Sequence, residues 1–195
     1  SFPKNLRAAH GYDNQANQLT LSPLLLDSFL RLSLSIIESP DFNETTVGIW
    51  NDFFRDPGDG DLRTEIRKRL QTFLLLAFRS AIEPETLDRY ADYTFAKIQQ
   101  GLSFTDAMKK AASATLSSPR FLLRYGSTTE GKDLFVVASN LSFFLWSSGP
   151  DLDLLRLAES GELATLGAFR QTIDRMMEDP RIERFLDTFP SQWMQ

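Results

Sequence analysis

Helix stops set beside bulky apolar residues constrain this chain more than any other feature. Three phrases carry them: Ser117-Ser118-Pro119-Arg120-Phe121-Leu122-Leu123, Leu141-Ser142-Phe143-Phe144-Leu145-Trp146-Ser147-Ser148-Gly149-Pro150-Asp151, and Asp179-Pro180-Arg181 followed by Gln192-Trp193. Proline has a fixed φ and no N–H, so it belongs in a first helical turn and not in a helix interior. The phrases therefore fix where helices begin and end. They place no nucleophile, metal cluster or phosphate loop.

Between the stops, apolar residues recur at three- and four-residue steps, the mark of a helix with one buried face. Ser22-Pro23 opens the first helix, with Leu25, Phe29, Leu32, Ile36 and Ile37 on its predicted inner side. Residues 40–60 read as a long polar connection, anchored by Val47-Gly48-Ile49-Trp50 and Phe53-Phe54. Asp61 is placed to cap the next helix, which runs to about Ser80. Pro84 starts another, ending at Gly101, with Leu87, Tyr90, Ala91, Tyr93, Phe95 and Ile98 expected inside. Ser103 with Asp106 forms the start of a fourth, whose alanines permit close helix approach. A buried helix over 133–146 uses Leu134, Ala138, Leu141, Phe144 and Leu145, and helices follow near 151–160, 165–178 and from Arg181 onward. No strand-like alternation is present. The expected fold is all-α, a single compact multi-helix bundle of about eight helices. Its expected parts are residues 1–60 (loop, one helix and long connection, the end of a preceding domain), a helical domain at 61–126, and a helical domain at 127–195 packed on it and continuing further.

Composition narrows the function classes. The 195 residues include 21 basic and 26 acidic side chains, a net charge of −5, which argues against nucleic acid as a partner. No cysteine is present, which excludes disulfides, thiolate metal sites, a cysteine nucleophile and covalent c-type haem within this segment. No apolar run is long enough for a transmembrane segment. Ser1 and Gln195 read as cut points, so the chain is expected to be a piece of a longer protein.

Each chemical candidate stands beside an architectural reading. His10 is the one histidine, offering noncovalent haem or cofactor binding, but no second ligand lies at helical spacing from it. Asp56, Asp59 and Asp61 suggest a Ca²⁺ loop, yet Arg67 holds the twelfth position where the EF-hand needs Glu, and aspartates also make turns and caps. Glu83 with Glu85, and Asp151 with Asp153, are carboxylate pairs of the kind a hydrolase or carbohydrate-active enzyme uses. Both sit in a first helical turn, where acids stabilise the helix dipole. The serines lie in no Gly-x-Ser-x-Gly elbow. Arg120, between apolar residues, is suited to reach buried carbonyls or a carboxylate, and Asp179 with Arg181 to form a local clamp. Trp50, in the long connection, is the tryptophan best placed to stack on a sugar ring, while Trp146 and Trp193 read as core. The site candidates are thus Arg120, Asp179, Arg181, Asp151 and Trp50, with no catalytic, cofactor or metal residue assigned.

The ordered phrases resemble the central helical region of large planctomycete-type proteins that also carry c-type cytochrome domains, a region known as successive domains of unknown function. Gly11-Tyr12-Asp13-Asn14 through Leu30 resembles the end of one domain. Ala77-Phe78-Arg79, Glu83 to Tyr90 and Ser118-Pro119-Arg120-Phe121-Leu122 are similar to a second. Leu141 to Trp146, Pro150-Asp151, Leu154-Leu155, Ala158, Gly161, Asp179-Pro180-Arg181 and Gln192-Trp193 are similar to a third. Two departures stand out: Ser80-Ala81-Ile82 replaces an Arg-Pro step after Arg79, and Asn140 replaces an Arg before Leu141-Ser142. The resemblance implies export to the periplasm or cell surface. It also implies partners within the same polypeptide, including a cytochrome c domain whose haem lies outside this segment. Without a catalytic constellation, the function expected is a non-catalytic helical scaffold or interaction module of such a protein.

Overall fold

Side-chain caps and prolines set the helix starts, and the folded chain follows them closely. A computed structural model describes residues 23–58, 60–123 and 133–187. His10, Asp59 and Trp193 lie outside these residues. Among the described residues all regular structure is helical, as the sequence leads one to expect: α1 (Pro23–Ile37), α2 (Leu62–Phe78), α3 (Pro84–Gln99), α4 (Phe104–Leu116), α5 (Pro119–Leu122), α6 (Leu134–Trp146), α7 (Leu152–Ser160) and α8 (Leu166–Glu178). A π-helical turn spans Trp50–Phe54, and 3-10 turns span Glu162–Ala164 and Pro180–Ile182. No helix among the described residues is long and apolar enough to cross a membrane.

A helix start leaves N–H groups without intrahelical acceptors, and short polar side chains supply them. Asp61 accepts from the Arg63 N–H (3.1 Å), Asp133 from Phe135 (2.9 Å), Asp151 from Leu154 (3.0 Å) and Thr165 from Ala168 (3.3 Å). Ser103 accepts from the Asp106 N–H (3.1 Å) and donates its hydroxyl to the Asp106 carboxylate (2.6 Å). At the far end of α7, Gly161 takes φ +83°, a left-handed conformation that glycine adopts without a Cβ penalty.

The described residues form two compact units, one within 23–66 and 90–123, the other within 67–89 and 133–187. In the first, α1 and the π-turn both pack on α4. Ala107, Ala111 and Ala112 are buried and keep that surface of α4 thin. The Thr105 hydroxyl donates to the Phe54 carbonyl (2.8 Å), fastening the π-turn. Phe42, Trp50, Phe53 and Phe54 pack there ring against ring, with the Phe42–Phe54 and Phe53–Phe54 pairs edge-on. The connection expected over 40–60 thus contains a helical turn, signalled by the 50/53/54 spacing of its aromatics. The predicted inner face of α1 also needs correction. Leu32 and Ile36 are exposed, and Ser33 is buried in their place. Ser33 Oγ lies 3.0 Å from Ser117 Oγ, so a small polar residue fills the close approach between α1 and α4.

The second unit is built around Ala138, Leu145, Trp146, Leu154, Ala158, Leu163 and Met176, contributed by α6, α7, α8 and the turn between the last two. Phe144, expected inside, is exposed and rests against Phe185, with ring centroids 5.0 Å apart. Ser139 and Ser142 are buried instead, the Ser142 hydroxyl donating to the Ser148 carbonyl at 2.9 Å. Because α6 is apolar on nearly every side, its pattern gives no contrast from which a face can be read. Tyr93 of α3 is likewise exposed, and the buried residues of that helix are Thr86, Leu87, Ala91 and Thr94. Helices α2 and α3 each divide between the units: Arg63 pairs with Asp92 in the first and Arg67 with Asp88 in the second.

Candidate functional site

The densest cluster of charge lies in the second unit, where four segments end. Trp146 closes α6, Asp151 caps α7, Arg175 stands in the last turn of α8, and Asp179 with Arg181 forms the turn beyond it. Proline dictates two of these placements. Pro150 precedes the Asp151 cap, and Pro180 stops α8, leaving Asp179 extended and capping the 3-10 turn that follows.

Asp151 accepts two hydrogen bonds from Arg175, at 2.7 and 3.2 Å, and a longer one from Arg181 at 3.4 Å. Arg181 grips Asp179 through Nε (2.8 Å) and Nη2 (2.6 Å), while its own backbone N–H donates to the same carboxylate (2.8 Å). The Arg181 guanidinium lies 3.4 Å above the centre of the Trp146 ring, and that of Arg175 lies 5.6 Å from it. Trp146 is fully buried, and its indole N–H donates to the Met176 carbonyl at 3.0 Å. Its backbone carbonyl accepts from Arg184 at 3.2 Å. Two carboxylates and two guanidiniums thus neutralise one another over an aromatic shelf.

The electrostatics follow from that geometry. Burial alone would raise the Asp151 carboxyl, but the Arg175 hydrogen bonds, the Leu154 N–H and the two guanidinium charges hold it below its ordinary value. Hydrogen bonds from the Arg181 side chain and backbone take Asp179 down to about 2. Arg175 and Arg181 are raised in turn, chiefly by their bonds to Asp151 and Asp179 respectively.

These carboxyls make the unit acid-sensitive in a defined window. A carboxyl whose folded pKa is depressed contributes stability above its unfolded value of about 3.9, and loses it as pH falls through the folded value. Between pH 5 and pH 2 the free energy of unfolding should fall progressively, and Asp179→Asn should flatten that slope. Urea titrations at half-unit pH steps measure this; equal slopes in the parent and the variant would refute the assignment.

Beside the network, α7 and α8 enclose an open groove of about 530 Å³, lined by Asp153, Arg156, Leu157, Gln171, Thr172 and Arg175 among others. It carries charges of both signs. No group of three or more His, Asp or Glu side chains among the described residues is disposed to hold a metal ion.

Two stretches of the chain match family models. Residues 65–125 match PSD5, described as a protein of unknown function (DUF1595), and residues 133–195 match PSD4, described as a protein of unknown function (DUF1592). No curated protein and no solved structure matches the chain. The PSD4 match contains the whole network, from Trp146 to Arg181. The PSD5 match contains Arg120, half-buried in the first turn of α5, where its backbone N–H donates to Ser118 Oγ at 3.3 Å.

Of the residues singled out in the sequence, the structure brings together Asp151, Asp179 and Arg181. Arg120 and Trp50 belong to the first unit. Trp50 there packs against Phe42 and Phe54, under the Lys109 ammonium, which lies 5.3 Å from its ring centre. Sequence reasoning missed Arg175 and the role of Trp146 as a shelf. Arg175 carried a usable signal: it lies one helical turn before Asp179, on a helix end that Asp179-Pro180 already marks.

Proposed function

We propose that this chain is a non-catalytic helical scaffold or interaction module of a larger exported protein of the planctomycete type. It would hold other domains of the same polypeptide in place, a cytochrome c domain among them, at the periplasm or cell surface. The observation that carries the reading is the closure of the Asp151–Arg175–Arg181–Asp179 network on itself. A general acid needs a carboxyl raised toward neutrality, and a glycosidase needs one raised and one ionised. Here both carboxyls are driven the other way, by partners that occupy their lone pairs. The tryptophan beneath them is buried as a shelf, with no face left for a sugar. The network instead locks the ends of α6, α7 and α8 in register, as a rigid mount requires. The setting is supported by the resemblance of the ordered phrases, and the two family matches, both to domains of unknown function, are compatible with it.

The test uses the full-length polypeptide. Carboxylate-directed cross-linking with mass spectrometry should join acidic residues of this segment to a haem-bearing domain. The same preparation should leave a panel of polysaccharides, esters and phosphoesters unchanged. Turnover of any of them that Asp151→Asn abolishes would overturn the reading.

A further inference from the structure

The outer side of α8 carries an apolar stripe. Leu166 is 65% exposed, more than any other large apolar side chain among the described residues, and Met177 is 50% exposed. Half-buried Ile173 stands between them, seven residues after the first and four before the second, so the three share one face. Thr172 and Met176 form the buried side of the helix, and Phe169 packs on the core of the second unit. The groove beside α7 takes its α8 lining from Ala168, Gln171, Thr172 and Arg175, which lie on a different side of the helix from the stripe.

Arg170 and Asp174, both exposed, border the stripe. They are four residues apart, the spacing at which opposite charges meet on one helix. Asp27 and Arg31 use that spacing on α1 and pair at 2.7 Å. Arg170 and Asp174 do not pair, and neither side chain has an ion-pair or hydrogen-bond partner among the described residues. The order of the charges explains the contrast. An acid before a base runs with the helix dipole, whereas a base before an acid runs against it and pairs less well. A cation and an anion left over beside an apolar stripe suit a partner that presents the opposite order.

A second α8 running antiparallel presents that order. A twofold axis near residue 172 sets Arg170 of each copy beside Asp174 of the other. The same axis lays Leu166 across from Met177 and brings the two Ile173 side chains to the middle. One patch thus complements itself in charge and in apolar content, the condition for an isologous dimer.

We propose that this chain forms a homodimer through the outer face of α8, with the two copies of the helix packed antiparallel. A single helix pair buries less than about 1,200 Å², so the association is weak and concentration-dependent. The proposal stands independently of the scaffold reading, since a mount and an enzyme could equally dimerise.

Sedimentation equilibrium of this chain tests it, with circular dichroism as a check on folding. The parent should show a monomer–dimer equilibrium, with dimer well populated at about 100 μM. Arg170→Asp leaves two acids on the rim and Asp174→Arg leaves two bases, so each variant alone should dimerise about tenfold more weakly or worse. Mixed together, the two variants regain both cross-pairs, and the mixture should recover the affinity of the parent. That rescue separates charge pairing from any loss of fold. A parent that stays monomeric would assign the stripe to another segment of the full-length polypeptide and overturn the proposal. Single reversals that dimerise like the parent, or a mixture no stronger than either variant alone, would also overturn it.

Discussion

Trp146→Ala should remove about 3–5 kcal/mol of folding free energy, the scale of a deleted core aromatic. A domain holds only about 5–15 kcal/mol in total, so the variant should be at the edge of folding. Trp146 is completely buried and touches three kinds of partner at once. Its ring belongs to the core with Leu145, Leu154 and Met176. Its N–H satisfies the Met176 carbonyl, which would be left without that donor. Its face carries the Arg181 guanidinium, and a partly desolvated contact of this kind adds up to about 2 kcal/mol. Trp146→Phe should be milder, about 1–3 kcal/mol, because it retains most of the apolar volume and loses the one hydrogen bond. Urea unfolding followed by far-ultraviolet circular dichroism measures both. An alanine variant within 1 kcal/mol of the parent would show that this tryptophan does not organise the second unit.

The next largest effect is expected at Asp151. Asp151→Ala should cost about 2–3 kcal/mol, combining a lost helix cap of about 1 with charge-assisted hydrogen bonds to partly exposed arginines. It also leaves Arg175 and Arg181 facing each other without the carboxylate that separates their charges. Asp151→Asn distinguishes the contributions. Asparagine caps a helix about as well as aspartate, so the amide should recover roughly 1 kcal/mol of the loss. It cannot restore the charge. If the asparagine variant were as stable as the parent, the ion network would contribute nothing beyond the cap.

Boundaries were legible in the sequence because they depend on local chemistry. Pro23, Pro84 and Pro119 each begin a helix, and Gly101 and Gly161 follow helix ends with positive φ. Asp61 and Ser103 cap where the sequence places them, and Asp133 and Asp151, read as the first residues of their helices, stand one position earlier as caps. Faces were harder. In α1 and α6 leucine and phenylalanine surround the helix, and the side turned inward is decided by which small residue admits a neighbour. Ser33 and Ser142 are buried for that reason, and Leu32, Ile36 and Phe144 are displaced outward. The charge cluster was half legible. Asp179 and Arg181 are two residues apart and declare their pairing. Arg175 and Asp151 are 24 residues apart, and only the folded chain shows that the end of α8 meets the start of α7.

The partition of α2 and α3 has a consequence for inheritance. Residues 67–89 fall inside the PSD5 match, yet they belong to the same compact unit as the residues matched by PSD4. A gene rearrangement that carried off either stretch alone would tear a hairpin from its own half of the molecule. Recombination should therefore transmit the two stretches in tandem, and a chromosome that carries one should be found to carry its companion directly alongside.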